Sequence, residues 1–299
     1  MFHPKTAYPS IYFSGAGYYL PFHFGVVKCL MDNQITFQKA FGVSAGAQAA
    51  LAMNEGADLE LGLRQCFDLR DETVYFTVSY MFDLYGKYFE KFRGVGKRSL
   101  DELNSSLFVG VSDLCTFRKF FVSSFPSESS LNRIISSSGN VLPFLSIFPK
   151  PNENQLLFDP LILFPSENIT LAVTPLTWKA VLPNAESRII GSASLTSALF
   201  CTKSKMEELF VEGYEKMREK IHDPIVIVDP KLEIKRIIEE KKNWKLNTGF
   251  QGIKAEGFWD QSVKILNKKA FLFVCFFCTF VGYILLELVQ NRNWIGDFR

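Results

Sequence analysis

The sequence predicts an α/β fold built on a mainly parallel sheet, and three observations lead there. An apolar run, Ile11 to Phe13, enters the turn Gly15-Ala16-Gly17 and is followed by a helical stretch. A second apolar run ending at Val43 enters Gly42-Val43-Ser44-Ala45-Gly46 and is followed by an alanine-rich segment with Ala47, Ala49, Ala50 and Ala52. The connections between these pieces are short. Strand, turn, helix, strand, turn, helix with short links is the pattern of parallel strands joined by crossovers. The expected elements are a strand over 11–13, a helix over 22–32, a strand over 37–43 and a helix over 45–54.

Both turns carry chemistry as well as shape. A G-x-S-x-G sequence between a strand and a helix holds its serine exposed on a sharp bend, with the helix N–H groups aimed at it. Gly42 and Gly46 allow the backbone to fold back where no Cβ fits. The same five residues also serve as a small-residue turn that packs helix on strand. The Gly15-Ala16-Gly17 turn presents N–H donors that can stabilise an oxyanion. The rival is a dinucleotide loop. That motif requires a third glycine where Leu20 stands and an acidic residue further on than Asp32.

Further along, residues 57–70 read as a helix. Residues 74–94 are rich in aromatic side chains and read as core or as a lid. Ser99-Leu100-Asp101-Glu102 is a capping box that opens a short helix, and Phe117 to Val122 reads as a strand. The serine-rich stretch 126–140 contains a short helix around Leu131 to Ile135. Ser204-Lys205-Met206-Glu207 is a second capping box, after which Met206, Leu209, Phe210, Gly213, Tyr214, Met217 and Ile221 recur at helical spacing and define a buried face. The three histidines, His3, His23 and His222, fit no Ser-His-Asp arrangement, so the base for a serine nucleophile is expected to be a carboxylate.

The Gly-x-Gly turn, the downstream His23-Phe24-Gly25 and the G-x-S-x-G segment together resemble the patatin-like phospholipases. Within that family the chain is most similar to the adiponutrin and adipose triglyceride lipase branch. Gly139-Asn140-Val141-Leu142-Pro143-Phe144, Ile169 to Pro175, and Ser197-Ala198-Leu199-Phe200 through Glu212-Gly213-Tyr214 extend the resemblance over roughly residues 8–222. It implies a three-layer α/β/α domain. It also implies a Ser-Asp dyad, which places the aspartate at Asp159, and an oxyanion hole at Gly15, Ala16 and Gly17, with the Ala45 N–H as a further donor. No metal and no cofactor is implied.

Two positions depart from the family pattern. Pro160 and Leu161 follow Asp159 where glycines are usual, and Leu20 stands at a position that is usually glycine. Proline fixes φ, and leucine does not readily adopt positive φ, so the loop that aims Asp159 is expected to have different backbone freedom. A catalytically impaired lipid-binding relative and an acyltransferase using the same acyl-enzyme are the alternatives to a hydrolase.

Composition bounds the partners. The 299 residues carry a net charge of +2, with no basic block of the kind that binds nucleic acid. Hydrophobic residues make up 47% and phenylalanine alone contributes 30, enough for a core and for some apolar surface facing lipid. No apolar leader opens the chain. Residues 270–286 carry no charge, and with Glu287-Leu288-Val289 they reach the length of about 20 residues that spans a bilayer. Lys264, Lys268 and Lys269 precede this segment, which places the preceding domain on the cytoplasmic side. Residues 223–269 form a basic juxtamembrane linker. The expected partners are a lipid ester and a membrane or lipid-droplet surface, with the endoplasmic reticulum as an alternative location.

Overall fold

Among the described residues eight strands form one mixed sheet, in which Lys150–Asn152 (β5), Gln155–Phe158 (β6), Leu107–Asp113 (β3), Thr36–Val43 (β2), Ala7–Phe13 (β1), Ile169–Leu176 (β7) and Ala185–Ala193 (β8) lie side by side in that order, with Lys119–Val122 (β4) paired to β3 outside this path. The computed structural model describes residues 1–73, 98–140, 150–152, 155–194, 201–226 and 229–241. These belong to one compact unit, Met1–Trp244. Strands β1 (Ala7–Phe13), β2 (Thr36–Val43), β3 (Leu107–Asp113), β7 (Ile169–Leu176) and β8 (Ala185–Ala193) run parallel to their neighbours in that set. Strands β4 (Lys119–Val122), β5 (Lys150–Asn152) and β6 (Gln155–Phe158) are antiparallel additions on the β3 side. The expected mixed α/β fold with a mostly parallel sheet is therefore present.

Alternation along the strands sorts the core onto two faces. Ile11 and Phe13 of β1 face one way and join Ala40, Val109, Val111, Leu171 and Val173 in the main core. Helices α1 (Leu20–Asp32), α2 (Ala45–Glu55), α3 (Leu59–Thr73), α4 (Leu100–Ser106), α5 (Glu128–Ser138), α6 (Lys203–Arg218) and α7 (Pro230–Lys241) contribute the rest of that layer. Tyr12, Phe41, Val43 and Ala172 point to the opposite face, where Leu163, Phe164 and Leu182 pack on them from loops. A second helical layer, part of the α/β/α expectation, is not among the described residues.

Helices α1 and α6 cross with their backbones in contact. A Cβ at Gly25 would meet the carbonyl of Phe210 and lie 2.8 Å from the amide nitrogen of Tyr214. A Cβ at Gly213 would in turn meet the carbonyl of Phe22. The crossing is sealed by Tyr214, whose hydroxyl donates to Asp32 at 3.0 Å, and Asp32 also pairs with Lys28.

Several expectations are refined. The α4 capping box forms as expected, with Glu102 N–H donating to Ser99 Oγ and Ser99 N–H donating to Glu102. The cap of α6 is Thr202, not Ser204, since Lys205 N–H donates to Thr202 Oγ1 at 3.2 Å. Ser204 falls inside the first turn, two residues past the cap position. The first part of the expected linker contains α7, whose Ile234 and Ile237 are buried in the main core. Residues 74–94, the Ser197–Phe200 portion of the resemblance and the apolar segment 270–289 lie outside the described residues. No helix among the described residues is long and apolar enough to cross a membrane.

Candidate active site

The parallel register brings the two glycine turns to the same edge of the sheet. Phe13 pairs with Gly42, so the turn after β1 and the bend after β2 leave the sheet side by side. Ser44 sits on that bend with φ 57° and ψ −129°. Positive φ is costly for a residue with a Cβ and is retained only where the surroundings enforce it. Here the enforcement is visible. A Cβ at Gly42 would lie 2.5 Å from Ala47 Cα, and one at Gly46 would lie 2.5 Å from the Ser14 carbonyl oxygen and 2.7 Å from the Phe13 carbonyl carbon. Helix α2 is thus pressed onto β1 and β2 at both glycines, and Ser44 is forced over the top of the contact.

A serine relay fixes the bend from behind. Ser44 N–H donates to Ser138 Oγ at 2.8 Å, and Ser138 Oγ donates to the Gly110 carbonyl at 2.6 Å. Ser138 is fully buried at the end of α5. Ser138→Ala would leave the buried Ser44 N–H without its partner, at about 1–3 kcal/mol. We expect a lowered urea midpoint, checked by equilibrium unfolding, together with a loss in kcat rather than in KM.

The Gly15 turn stands directly against Ser44. A Cβ at Gly15 would lie 3.5 Å from Ser44 Cβ and 3.4 Å from the Leu161 carbonyl oxygen. Gly17 has φ 52° and Ala16 is buried. No hydrogen bond among the described residues engages the N–H groups of Gly15, Ala16 or Gly17. Behind the turn, the fully buried His23 meets the Ser14 carbonyl oxygen through Nε2 at 3.0 Å. Burial lowers its pKa to about 4, so the ring is neutral at physiological pH and its Nε2–H is the donor to that carbonyl. Ser14 Oγ donates to Thr174 Oγ1 at 2.8 Å and Ser14 N–H to Val173, which ties the turn to β7.

Asp159 reaches the same place from far along the chain. It is 2% exposed, at the end of β6, and its N–H donates to the Asn140 carbonyl. Its Oδ1 accepts the Leu161 N–H at 2.6 Å. Burial raises its pKa to about 7. The Ser44 hydroxyl, the Leu161 N–H and the charge of Lys119 pull in the other direction. The Ser44 hydroxyl is thus near enough to lower the Asp159 pKa, while no hydrogen bond of ordinary geometry joins Oδ2 to it. Burial, and secondarily the Asp159 carboxylate, also drives the pKa of Tyr12 upward.

One expectation about this loop is corrected. Leu161 does adopt positive φ, at 59°. The Asp159 carboxylate holds its N–H, and Ile162 N–H donates to the Pro160 carbonyl at 2.6 Å, so the tight turn forms with leucine where glycine would be unstrained. Ser138 and Lys119 also face the site, and the sequence marks them only faintly. A run of three serines, Ser136-Ser137-Ser138, buried at a helix end was the available sign of the first. A lone lysine opening the apolar strand Lys119-Phe120-Phe121-Val122 was the sign of the second.

No family model matches the chain, and no curated protein matches it. Among solved structures it is similar to the crystal structure of VipD from Legionella pneumophila, at 12% identity and a TM-score of 0.44. The alignment covers 71% of this chain and 66% of that one, so the chain spans just under two thirds of VipD.

Proposed function

We propose that this protein is a lipid acyl hydrolase in which Ser44 is the nucleophile and Asp159 the general base. The observation that carries the reading is the convergence of a strained, buried-backed serine with a buried carboxylate whose pKa is raised to about 7. An ordinary aspartate, near 3.9, is too weak a base for a serine hydroxyl. Desolvation beside Ser44 brings Asp159 to the range where it both holds and releases a proton near neutral pH.

The steps balance. Ser44 Oγ attacks the ester carbonyl while its proton passes to Asp159. The oxyanion is held by the N–H groups of Gly15, Ala16 and Gly17, with the Ala45 N–H at the start of α2 as a further donor. The ester C–O bond breaks, and the departing alkoxide takes the proton from Asp159. Water then attacks the acyl-serine, giving its proton to Asp159 and freeing the fatty acid as Ser44 is reprotonated. The resemblance to the adiponutrin and adipose triglyceride lipase branch directs the substrate class to triacylglycerol or phospholipid esters. Segment 270–289 is proposed as the membrane anchor, with the described domain on the cytoplasmic side. Deleting residues 270–299 is expected to release the protein from vesicles of neutral lipid; undiminished sedimentation with them would remove the anchor.

The departure at Pro160-Leu161 favours a second reading, a catalytically impaired lipid-binding relative. The two differ in a pH experiment. With a soluble short-chain ester, kcat/KM for the hydrolase rises with pH through a midpoint near 7 as Asp159 ionises. Asp159→Asn loses that limb along with nearly all turnover. Stability moves oppositely. A carboxyl whose folded pKa lies above its unfolded value contributes fully below the unfolded value, near 3.8, and loses that contribution as pH rises towards 7. Asp159→Asn removes the cost of ionisation, so above pH 7 the variant should be more stable, by up to about 4 kcal/mol. A variant that keeps wild-type turnover would take Asp159 out of the mechanism.

A further inference from the structure

We propose that the described domain docks on an anionic lipid surface through a rim of its own, formed by Phe117 and Leu156 on one flank of the site and Trp178 on the other. The proposal deepens the hydrolase reading and rests on it, since it names the surface to which Ser44 is presented. Its basis is where these residues lie in the sheet. Val43 pairs with Gly110, yet β3 continues to Asp113 before turning back into β4. The 114–117 turn therefore rises about 10 Å beyond the level of Ser44, at about 3.3 Å per residue. Phe13 pairs with Val173, and β7 likewise continues to Leu176 before reaching Trp178. In the strand order, β3 and β7 flank the β2–β1 pair that carries Ser44 and Gly15. Three strand spacings separate the flanks, about 15 Å.

The exposed side chains match this placement. Phe117 is 70% exposed, Trp178 43% and Leu156 36%. They are three of the six large apolar side chains that the described residues leave exposed, and all three lie beyond the same edge. Phe117 also has φ 54°, so a bulky ring is held outward on a strained backbone. The turn that carries it is firmly built. Asp113 accepts from Cys115 N–H at 3.1 Å, Thr116 Oγ1 at 2.7 Å and Leu156 N–H at 3.3 Å, and Leu114 N–H donates to the Leu156 carbonyl. Neither the strain nor the exposure serves the core.

Charge selects the occupant. Each aromatic residue is followed by an exposed cation, Arg118 after Phe117 and Lys179 after Trp178. An aromatic ring at the headgroup level with a cation beside it suits an interface of anionic lipid, where the ring enters the apolar boundary and the cation meets phosphate. One such pair on each side of the bend would hold the Ser44 edge of the sheet against the surface, so that a lipid ester meets the site from the bilayer.

The test uses the full chain carrying Ser44→Ala, so that vesicles are not consumed, and with Trp244, Trp259 and Trp294 replaced by phenylalanine to leave Trp178 as the sole tryptophan. Vesicles of phosphatidylcholine with phosphatidylserine, containing shallow-brominated lipid, are titrated in. Trp178 emission should shift to the blue and be quenched. Arg118→Gln with Lys179→Gln should raise the half-saturating lipid about 10- to 30-fold, and Phe117→Ser should weaken the quenching. Emission unchanged at lipid concentrations that sediment all the protein would overturn the rim. An equal response to purely neutral vesicles would overturn the role of the cations. Turnover of a soluble short-chain ester by the wild type is scored separately, so a failure of the rim and a failure of the hydrolase reading give different results.

Discussion

Replacing Ser44 by alanine should lower kcat/KM for a soluble ester by at least about 10^4-fold while leaving the free energy of unfolding within about 1 kcal/mol of wild type. Ser44 Oγ is the group that would form the acyl bond, so nothing else in the site replaces it. The bend, in contrast, is held by the close approaches at Gly42 and Gly46 and by the Ser138 relay to the Ser44 N–H, which alanine retains. A Ser44→Ala protein that still turns over at a tenth of the wild-type rate would place the nucleophile elsewhere.

The largest structural effect should come from the crossing of α1 and α6. Gly25→Ala and Gly213→Ala each sit inside a helix, where propensity alone favours alanine by about 1 kcal/mol. The crossing decides otherwise. Each new methyl would lie within van der Waals overlap of a backbone carbonyl on the opposite helix, and backbone cannot swing aside as a side-chain tip can. Separating the helices opens the core around Phe22, Phe210 and Tyr214. We expect each substitution to cost at least about 3 kcal/mol, a large part of a domain's usual stability of about 5–15 kcal/mol. Urea unfolding of purified variants measures it. A gain in stability would mean that the helices lie further apart than described. Gly56→Ala is the control, because Gly56 has φ 61° with nothing near its missing Cβ, so only local strain is felt.

The first half of the domain is legible in the sequence because its signals are local. Ile11 to Phe13, the Gly15 turn and the G-x-S-x-G bend are each written within a few residues, and the sheet register then follows from short connections. The capping box at Ser99 is equally local. What escaped depends on partners distant in the chain. Strand β8 reads Ala185-Glu186-Ser187-Arg188-Ile189-Ile190-Gly191-Ser192-Ala193, too polar to signal a strand, because among the described residues it ends the sheet and pairs with β7 alone. Ser138 looks like a serine-rich linker residue until α5 carries it beneath Ser44. Leu161 argued against a tight turn, since propensity tables price positive φ without knowing that Asp159 accepts its N–H. Ile234 and Ile237 in a charged stretch gave no sign of which surface they would bury against.

Labelling with a fluorophosphonate, followed by peptide mass spectrometry across a pH series, tests the joint assignment of Ser44 and Asp159 most directly. The account predicts a single adduct on Ser44, forming faster as pH rises and levelling off around a midpoint near 7, with the rate collapsing in Asp159→Asn. An adduct on another serine, or labelling of Ser44 at a rate indifferent to pH and to Asp159→Asn, would contradict it.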